Sequence, residues 1–270
     1  MLRAAAAALD RGEAAALVTV VRSNGSTPQR AGAKMLVFAD GRTVGTIGGG
    51  CYEHDAFWKA REALASGRPA LLHYELNDDF AQENGLICGG QMDVHVDPLV
   101  PSPHLYVVGA GHVGWHLARI AAEADFQVHV VDDREKFANA ERFPQACEIV
   151  VEPLTGWLAG ADVPSSAYVV IVTRGHQGDL DAVRAFSTRE LRYLGLIGSR
   201  AKVARIREAL VAEGVPAGRL ERVHAPIGLD IGAVTPAEIA VSILAQLIGI
   251  RRGVDTSALA MAKPKMRTGV

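Results

Sequence analysis

The segment Leu105-Tyr106-Val107-Val108-Gly109-Ala110-Gly111-His112-Val113-Gly114 constrains this chain more than any other. A short apolar run reads as a buried strand. Glycines spaced G-x-G-x-x-G directly after it permit a tight turn, a close backbone approach and a helix packed hard against the strand. Gln127-Val128-His129-Val130-Val131 is a second strand, and it ends in Asp132-Asp133, where an acid is placed to accept hydrogen bonds from a ribose. Asp132 favours an unphosphorylated ribose, and the nearby Arg134 weakens that preference. Further apolar runs at 167–172 and 193–197 extend the same parallel sheet. A closing helix starts at Thr235-Pro236-Ala237-Glu238, with an N-cap threonine, a proline at the first turn and a glutamate three residues on.

The part before this unit is built differently. Asp97-Pro98-Leu99-Val100-Pro101-Ser102-Pro103-His104 carries three prolines in six residues, which marks a linker at 99–103. Residues 1–98 read as an α+β domain: a first helix, strands at 16–21, 34–38 and 43–47 with an Asp40-Gly41 turn, a helix from about Cys51 to Ser66, and strands near 71–76 and 92–96. The predicted class is therefore α/β, an N-terminal α+β domain followed by a Rossmann-like doubly wound parallel sheet over 104–253. Residues 254–270 lack periodicity and read as a mobile tail.

A second glycine-rich strand-to-helix junction, Gly45-Thr46-Ile47-Gly48-Gly49-Gly50-Cys51, lies in the first domain. Converging N–H groups at a helix start suit an anion, so Gly48, Gly49 and Gly50 are candidate phosphate contacts, as are Gly109, Gly111, His112 and Gly114 in the other domain. A thiol at a helix N-terminus is a reactive soft donor, which makes Cys51 a candidate ligand or metal contact; Cys88, beside Gly89-Gly90, is a second. Ser26, Thr27 and Arg30 belong to a strand-to-strand loop dense in hydrogen-bonding groups that could face the first glycine turn. Arg174 and His176 in Thr173-Arg174-Gly175-His176, Ser199 and Arg200 in Gly198-Ser199-Arg200, and the run His224 to Ala233 follow later strands, where parallel sheets open their ligand crevice. The arginines suit phosphate or carboxylate, and Ser199 suits a helix N-cap.

Composition narrows the class. The net charge of −2 supplies no basic field for nucleic acid or an anionic membrane, and the start of the chain acquires acids too early for a secretory signal. Three cysteines without zinc-like spacing fit reduced thiols in a cytoplasmic protein.

Taken in order, Gly25-Ser26-Thr27-Pro28 with Arg30 and Gly32-Ala33, the Gly-Thr-Ile-Gly-Gly-Gly turn with Glu53, Cys88-Gly89-Gly90, the Gly109 to Gly114 loop, Asp133-Arg134 with Phe137, Arg142-Phe143-Pro144, Thr173 to His176, Gly198-Ser199-Arg200 and His224 to Ala233 resemble the successive motifs of the XdhC/CoxI family, collinear from about Ala14 to Ile250. The resemblance implies an accessory protein of molybdenum hydroxylases such as xanthine dehydrogenase. Such a protein binds molybdenum cofactor (molybdopterin), shields its sulfurated form, receives it beside a cysteine desulfurase and inserts it into the apoenzyme. It carries over no catalytic residue. The competing reading is an NAD(P)-dependent oxidoreductase with His176 or His224 as acid-base group. The oligomeric state is open, with a homo-oligomer among the possibilities.

Overall fold

The computed structural model describes residues 1–75 and 90–260. The chain divides into two compact units, Met1–Ser102 and Pro103–Val270.

The first unit is an antiparallel five-stranded sheet. After helix α1 (Leu2–Asp10) come β1 (Ala15–Asn24), β2 (Lys34–Phe38), β3 (Thr43–Gly45), helix α2 (Gly50–Ser66), β4 (Ala70–Glu75) and β5 (Gln91–Leu99), in the spatial order β3-β2-β1-β5-β4. The period-2 pattern decides which face is buried. Val18 and Val20 of β1, Val94 and Val96 of β5 and Met35 of β2 point one way, against Tyr52, Ala56, Ala60 and Ala63 of α2. The alanines on α2 let the helix lie close to the sheet. The opposite face is covered by α1 through Ala5 and Ala8, which pack with Leu36 and Phe38. Pro98 pairs with Ala16 near the end of β5, beyond the last partner that β4 offers. A register shift between Val20 and Arg22 bulges β1 just ahead of the Gly25 to Ala31 loop.

The second unit is a parallel sheet of β6 (His104–Val108), β7 (Gln127–Asp132), β8 (Glu148–Val151), β9 (Tyr168–Ile171) and β10 (Tyr193–Leu196), in the order β10-β9-β6-β7-β8. The chain winds outward from β6 to β8, then returns to the other side of β6 for β9 and β10. Neighbouring loops after β6 and β9 therefore diverge, which opens a crevice at their carboxyl ends. Helices α3 (His112–Glu123) and α8 (Pro236–Arg251) cover one face with Leu117, Ile243 and Leu247. Helices α4 (Leu154–Gly160), α5 (His176–Ser187), α6 (Arg200–Ala212) and α7 (Ala217–Glu221) cover the other with Leu158, Phe186, Ile206 and Leu220. The α8 start is a complete capping box: Thr235 Oγ1 accepts the Glu238 N–H and the Glu238 carboxylate accepts the Thr235 N–H.

Residues 254–260, expected to begin a mobile tail, are tied down instead. The Val254 N–H donates to Gly249 O, the Asp230 N–H donates to Leu259 O, and Leu229 bridges Ala260. Strand β8 and the short helices α4 and α7 are too brief to show as periodic runs in the sequence.

Candidate functional site

In the first unit the loop after β1 and the glycine turn before α2 meet. Gly48, Gly49 and Gly50 all take positive φ, a conformation that glycine alone adopts without strain. At Gly48 a Cβ would also come within 2.7 Å of both the Pro28 side chain and the Tyr52 hydroxyl, so close approach is a second requirement there. Gly90 lies against the carbonyls of Asn24 and Ser26. Ser26 and Arg30 are exposed, Thr27 is half-buried with its hydroxyl donating to Gln29 O at 2.9 Å, and Cys51 is half-buried in the first turn of α2. Cys88 falls outside the described residues. His54, one turn on from Cys51, accepts the Trp58 indole N–H at 3.0 Å.

The anion in this turn belongs to the chain itself. Glu53 Oε2 accepts from Thr46 Oγ1 at 2.5 Å and from the N–H groups of Ile47, Gly48 and Gly49 at 2.8, 3.1 and 2.9 Å. Burial alone would raise the Glu53 carboxyl, but the Thr46 hydroxyl and the three N–H groups together hold it below the ordinary glutamate value. The donors that the sequence offers to an external phosphate at Gly48 and Gly49 are thus committed to Glu53. An acid in the first turn of a helix that follows a glycine run was the available signal.

In the second unit each glycine of the Gly109 loop has a different reason to be there. A Cβ on Gly109 would collide with the Val172 carbonyl, and one on Gly114 would collide with the Gly109 carbonyl. Gly111 has an ordinary φ of −68° and no atom within 4 Å of where its Cβ would stand. Packing therefore demands the first and third glycines, while the second faces open space.

Two side chains far apart in sequence grip the buried Ala110 between them. The Asp132 carboxylate accepts the Ala110 N–H at 2.7 Å and the Arg142 guanidinium donates to Ala110 O at 3.1 Å. Asp132 also receives the Arg134 N–H and, bidentately, Arg134 Nε and Nη2, both at 2.8 Å. Burial would raise the Asp132 carboxyl. Arg134 and the N–H groups of Ala110 and Arg134 outweigh that and hold it below the usual aspartate range. Arg134 is stacked over Phe137 at 4.0 Å and Arg142 flanks the same ring at 5.1 Å. Asp132 is thus fully engaged in holding the glycine loop, rather than standing open for a ribose as the sequence suggests.

A cavity of about 240 Å³ occupies the crevice, with Gly109, Asp132, Asp133, Thr173 and Arg174 in its walls. Arg174 reaches across to Asp133 at 3.0 Å. Thr173 Oγ1 donates to the wholly buried Asp179 at 2.7 Å, and Asp179 is paired with Lys202 of α6. Through that buried pair the loops after β9 and β10 are held together.

Other expected members stand elsewhere. His112 and His176 are exposed at the first residues of α3 and α5. Ser199 caps α6 by accepting the Lys202 N–H, and Arg200 is exposed beside it; neither lines the cavity. His224 sits beside Gly195 as a short extension of the sheet and stacks on Tyr193 at 4.6 Å, so the His224 to Ala233 run does not line this cavity. Sequence reading also missed the Asp179–Lys202 pair, and named Arg142 only within a motif and not as an anchor, because nothing local in the sequence marks contacts made across 23 and 32 residues. Among the described residues no group of three or more His, Cys, Asp or Glu side chains is arranged to hold a metal ion, and no helix is long and apolar enough to cross a membrane.

The model of the XdhC Rossmann domain matches residues 105–247, the unit that carries this cavity, and the model of the XdhC and CoxI family matches residues 8–75. The chain belongs to the XdhC and CoxI family. Family relatives include the uncharacterized protein YqeB of Escherichia coli (strain K12), 35% identical over 94% of this chain, which spans only 46% of YqeB. A probable xanthine dehydrogenase subunit of Bacillus subtilis (strain 168) is 25% identical over 92% of this chain and 96% of its own length. The molybdenum cofactor insertion chaperone PaoD of E. coli is 24% identical over 93% of this chain and 88% of its own. A crystallised xanthine dehydrogenase of Bacillus halodurans shares the fold, with a TM-score of 0.53 at 23% identity over 93% of this chain and 96% of that one.

Proposed function

We propose that this chain binds molybdenum cofactor, protects its sulfurated form and delivers it to a molybdenum hydroxylase of the xanthine dehydrogenase kind. The observation that carries the reading is the meeting of the Ser26-Thr27-Pro28 loop with the Gly48-Gly49-Gly50-Cys51 turn, in a chain related over nearly its whole length to the insertion chaperone PaoD. Such a cargo presents a metal held by sulfur, a polar pterin and a phosphate. Cys51 offers a soft donor, the Ser26 and Thr27 hydroxyls offer hydrogen bonds to a pterin, and the exposed Arg30 offers a cation. The N–H groups of Gly48 and Gly49 do not suit the phosphate while Glu53 holds them, so Arg30 takes that role. A carrier must also release what it holds, which favours exposed, exchangeable contacts over a closed site. The apoenzyme and a sulfur-donating cysteine desulfurase are the partners this reading requires, in a cytoplasmic setting; a homo-oligomer is compatible with it.

The test is Cys51→Ala in protein purified from cells that make the cofactor. Bound molybdenum, or its sulfurated fraction, is expected to fall severalfold while the melting temperature stays within about 2 °C of the parent, as for a half-buried contact rather than a core residue. Unchanged cofactor content and protection in the variant would remove the thiol from the site.

A further inference from the structure

We propose that the crevice between the carboxyl ends of β6 and β9 takes a nucleoside 5′-phosphate with an unsubstituted ribose, and that Asp133, not Asp132, receives the ribose hydroxyls. Asp132 is the residue that motif spacing singles out, but it is the wrong one on chemical grounds. A carboxylate has about four acceptor positions, and four donors already reach Asp132: the Ala110 N–H, the Arg134 N–H and two guanidinium nitrogens of Arg134. Its side chain is 5% exposed. Turning it toward a ligand would release the glycine loop.

Asp133 is differently placed. Its side chain is 45% exposed and it stands in the cavity wall at the end of β7, facing Arg174 from the loop after β9. An ion pair between two such exposed side chains contributes little and is readily exchanged for ligand groups. The pair spans the crevice, so its two members can part to meet a ligand that carries hydroxyls at one point and a phosphate at another. Asp133 would accept the hydroxyls and Arg174 would meet the phosphate. Gly109, in the cavity wall, brings bare backbone to the ligand at the end of β6.

The same geometry argues against a 2′-phosphate. A second dianion would fall next to the Asp133 carboxylate. The adjacent cation, Arg134, lies 3.8 Å from Asp133, but its Nε and Nη2 are already bonded to Asp132 and its plane is stacked on Phe137. A volume of about 240 Å³ lies below the usual range of roughly 300–1,000 Å³ for ligand pockets, which suits one nucleoside unit with the remainder of the molecule lying outside. The assignment of Asp133 does not depend on the cargo proposed above.

The experiment is calorimetric titration of the full chain with ADP, CDP, GDP and UDP, with their 2′-deoxy counterparts, and with adenosine 2′,5′-bisphosphate. At least one ribonucleotide is expected to bind saturably below millimolar concentration, and its 2′-deoxy form at least tenfold more weakly. In Asp133→Asn that preference should vanish, with the melting temperature unchanged, and the 2′,5′-bisphosphate should gain affinity. Three results would each overturn the proposal: no ribonucleotide binds, deoxy and ribo forms bind alike, or Asp133→Asn keeps the preference. None of these results bears on molybdenum content, so the cargo reading stands or falls separately.

Discussion

The Glu53 carboxylate accepts the Gly49 N–H at 2.9 Å, closing the first glycine turn with an acid from the helix that the turn begins. The turn is therefore a fixed element that positions its neighbours, and Cys51 between the two residues is carried by it. Hydrogen bonds to a charged group contribute about 1.5–3 kcal/mol each, and the several made by Glu53 are not independent. Glu53→Ala is expected to lower the stability of the first unit by about 2–3 kcal/mol in urea unfolding. Cofactor content should fall with it. A variant as stable as the parent would show that the turn holds itself.

The same residue sets a pH dependence. The folded-state value for Glu53 lies below its unfolded value, so the ionised form is the one that folding favours. Its stabilisation is present in full above the ordinary glutamate range and is lost as pH falls through the lowered folded value. Glu53→Gln is therefore expected to flatten the acid limb of the stability profile below about pH 4.5. An unchanged limb would place the acid sensitivity elsewhere.

His104 adds a second acid-sensitive step, in a higher pH window. Its ring is hydrogen-bonded to His129 at 2.9 Å, and His129 to Glu148 at 2.9 Å, in a row across β6, β7 and β8. Burial and the neighbouring His129 push the His104 value below that of an ordinary histidine. Folding thus disfavours its protonated form, and the resulting destabilisation grows as pH falls below about 6.5, the unfolded histidine value. His104→Gln is expected to reduce the stability loss between about pH 6.5 and 5, which a melting series in matched buffers would measure.

The glycine loop of the second unit separates packing from ligand contact. Gly114→Ala drives a methyl group into the Gly109 carbonyl and is expected to cost about 3 kcal/mol or to prevent folding. Gly111→Ala meets open space at an ordinary φ and should melt within about 2 °C of the parent. Comparable losses in both would contradict the division of roles among the three glycines.

The frame of the second unit was legible because strand, glycines and acid lie within 30 residues and each has a local physical signature. The capping box at Thr235 and Glu238 was readable for the same reason. What could not be read was which acid does which task. Asp132 and Asp133 are identical in type and adjacent, and what distinguishes them is the Ala110 N–H, 22 residues away, together with the fork of the neighbouring Arg134. Likewise the Gly48-Gly49-Gly50 run announces converging N–H groups, but that Glu53 folds back to fill them depends on a helix register that propensity does not fix. Asp179 and Lys202 meet only because the loops after β9 and β10 end side by side.

The measurement that bears most directly on the account is reconstitution of a purified, cofactor-free molybdenum hydroxylase by this chain loaded with sulfurated cofactor. The activity recovered should rise in proportion to the moles of loaded chain added and stop when that chain is spent, and the chain alone should not turn over NAD(P)H with small carbonyl substrates. Failure of the loaded chain to activate the apoenzyme would contradict it, and many turnovers of hydride transfer per chain that vanish in His176→Ala or His224→Ala would make the protein an oxidoreductase.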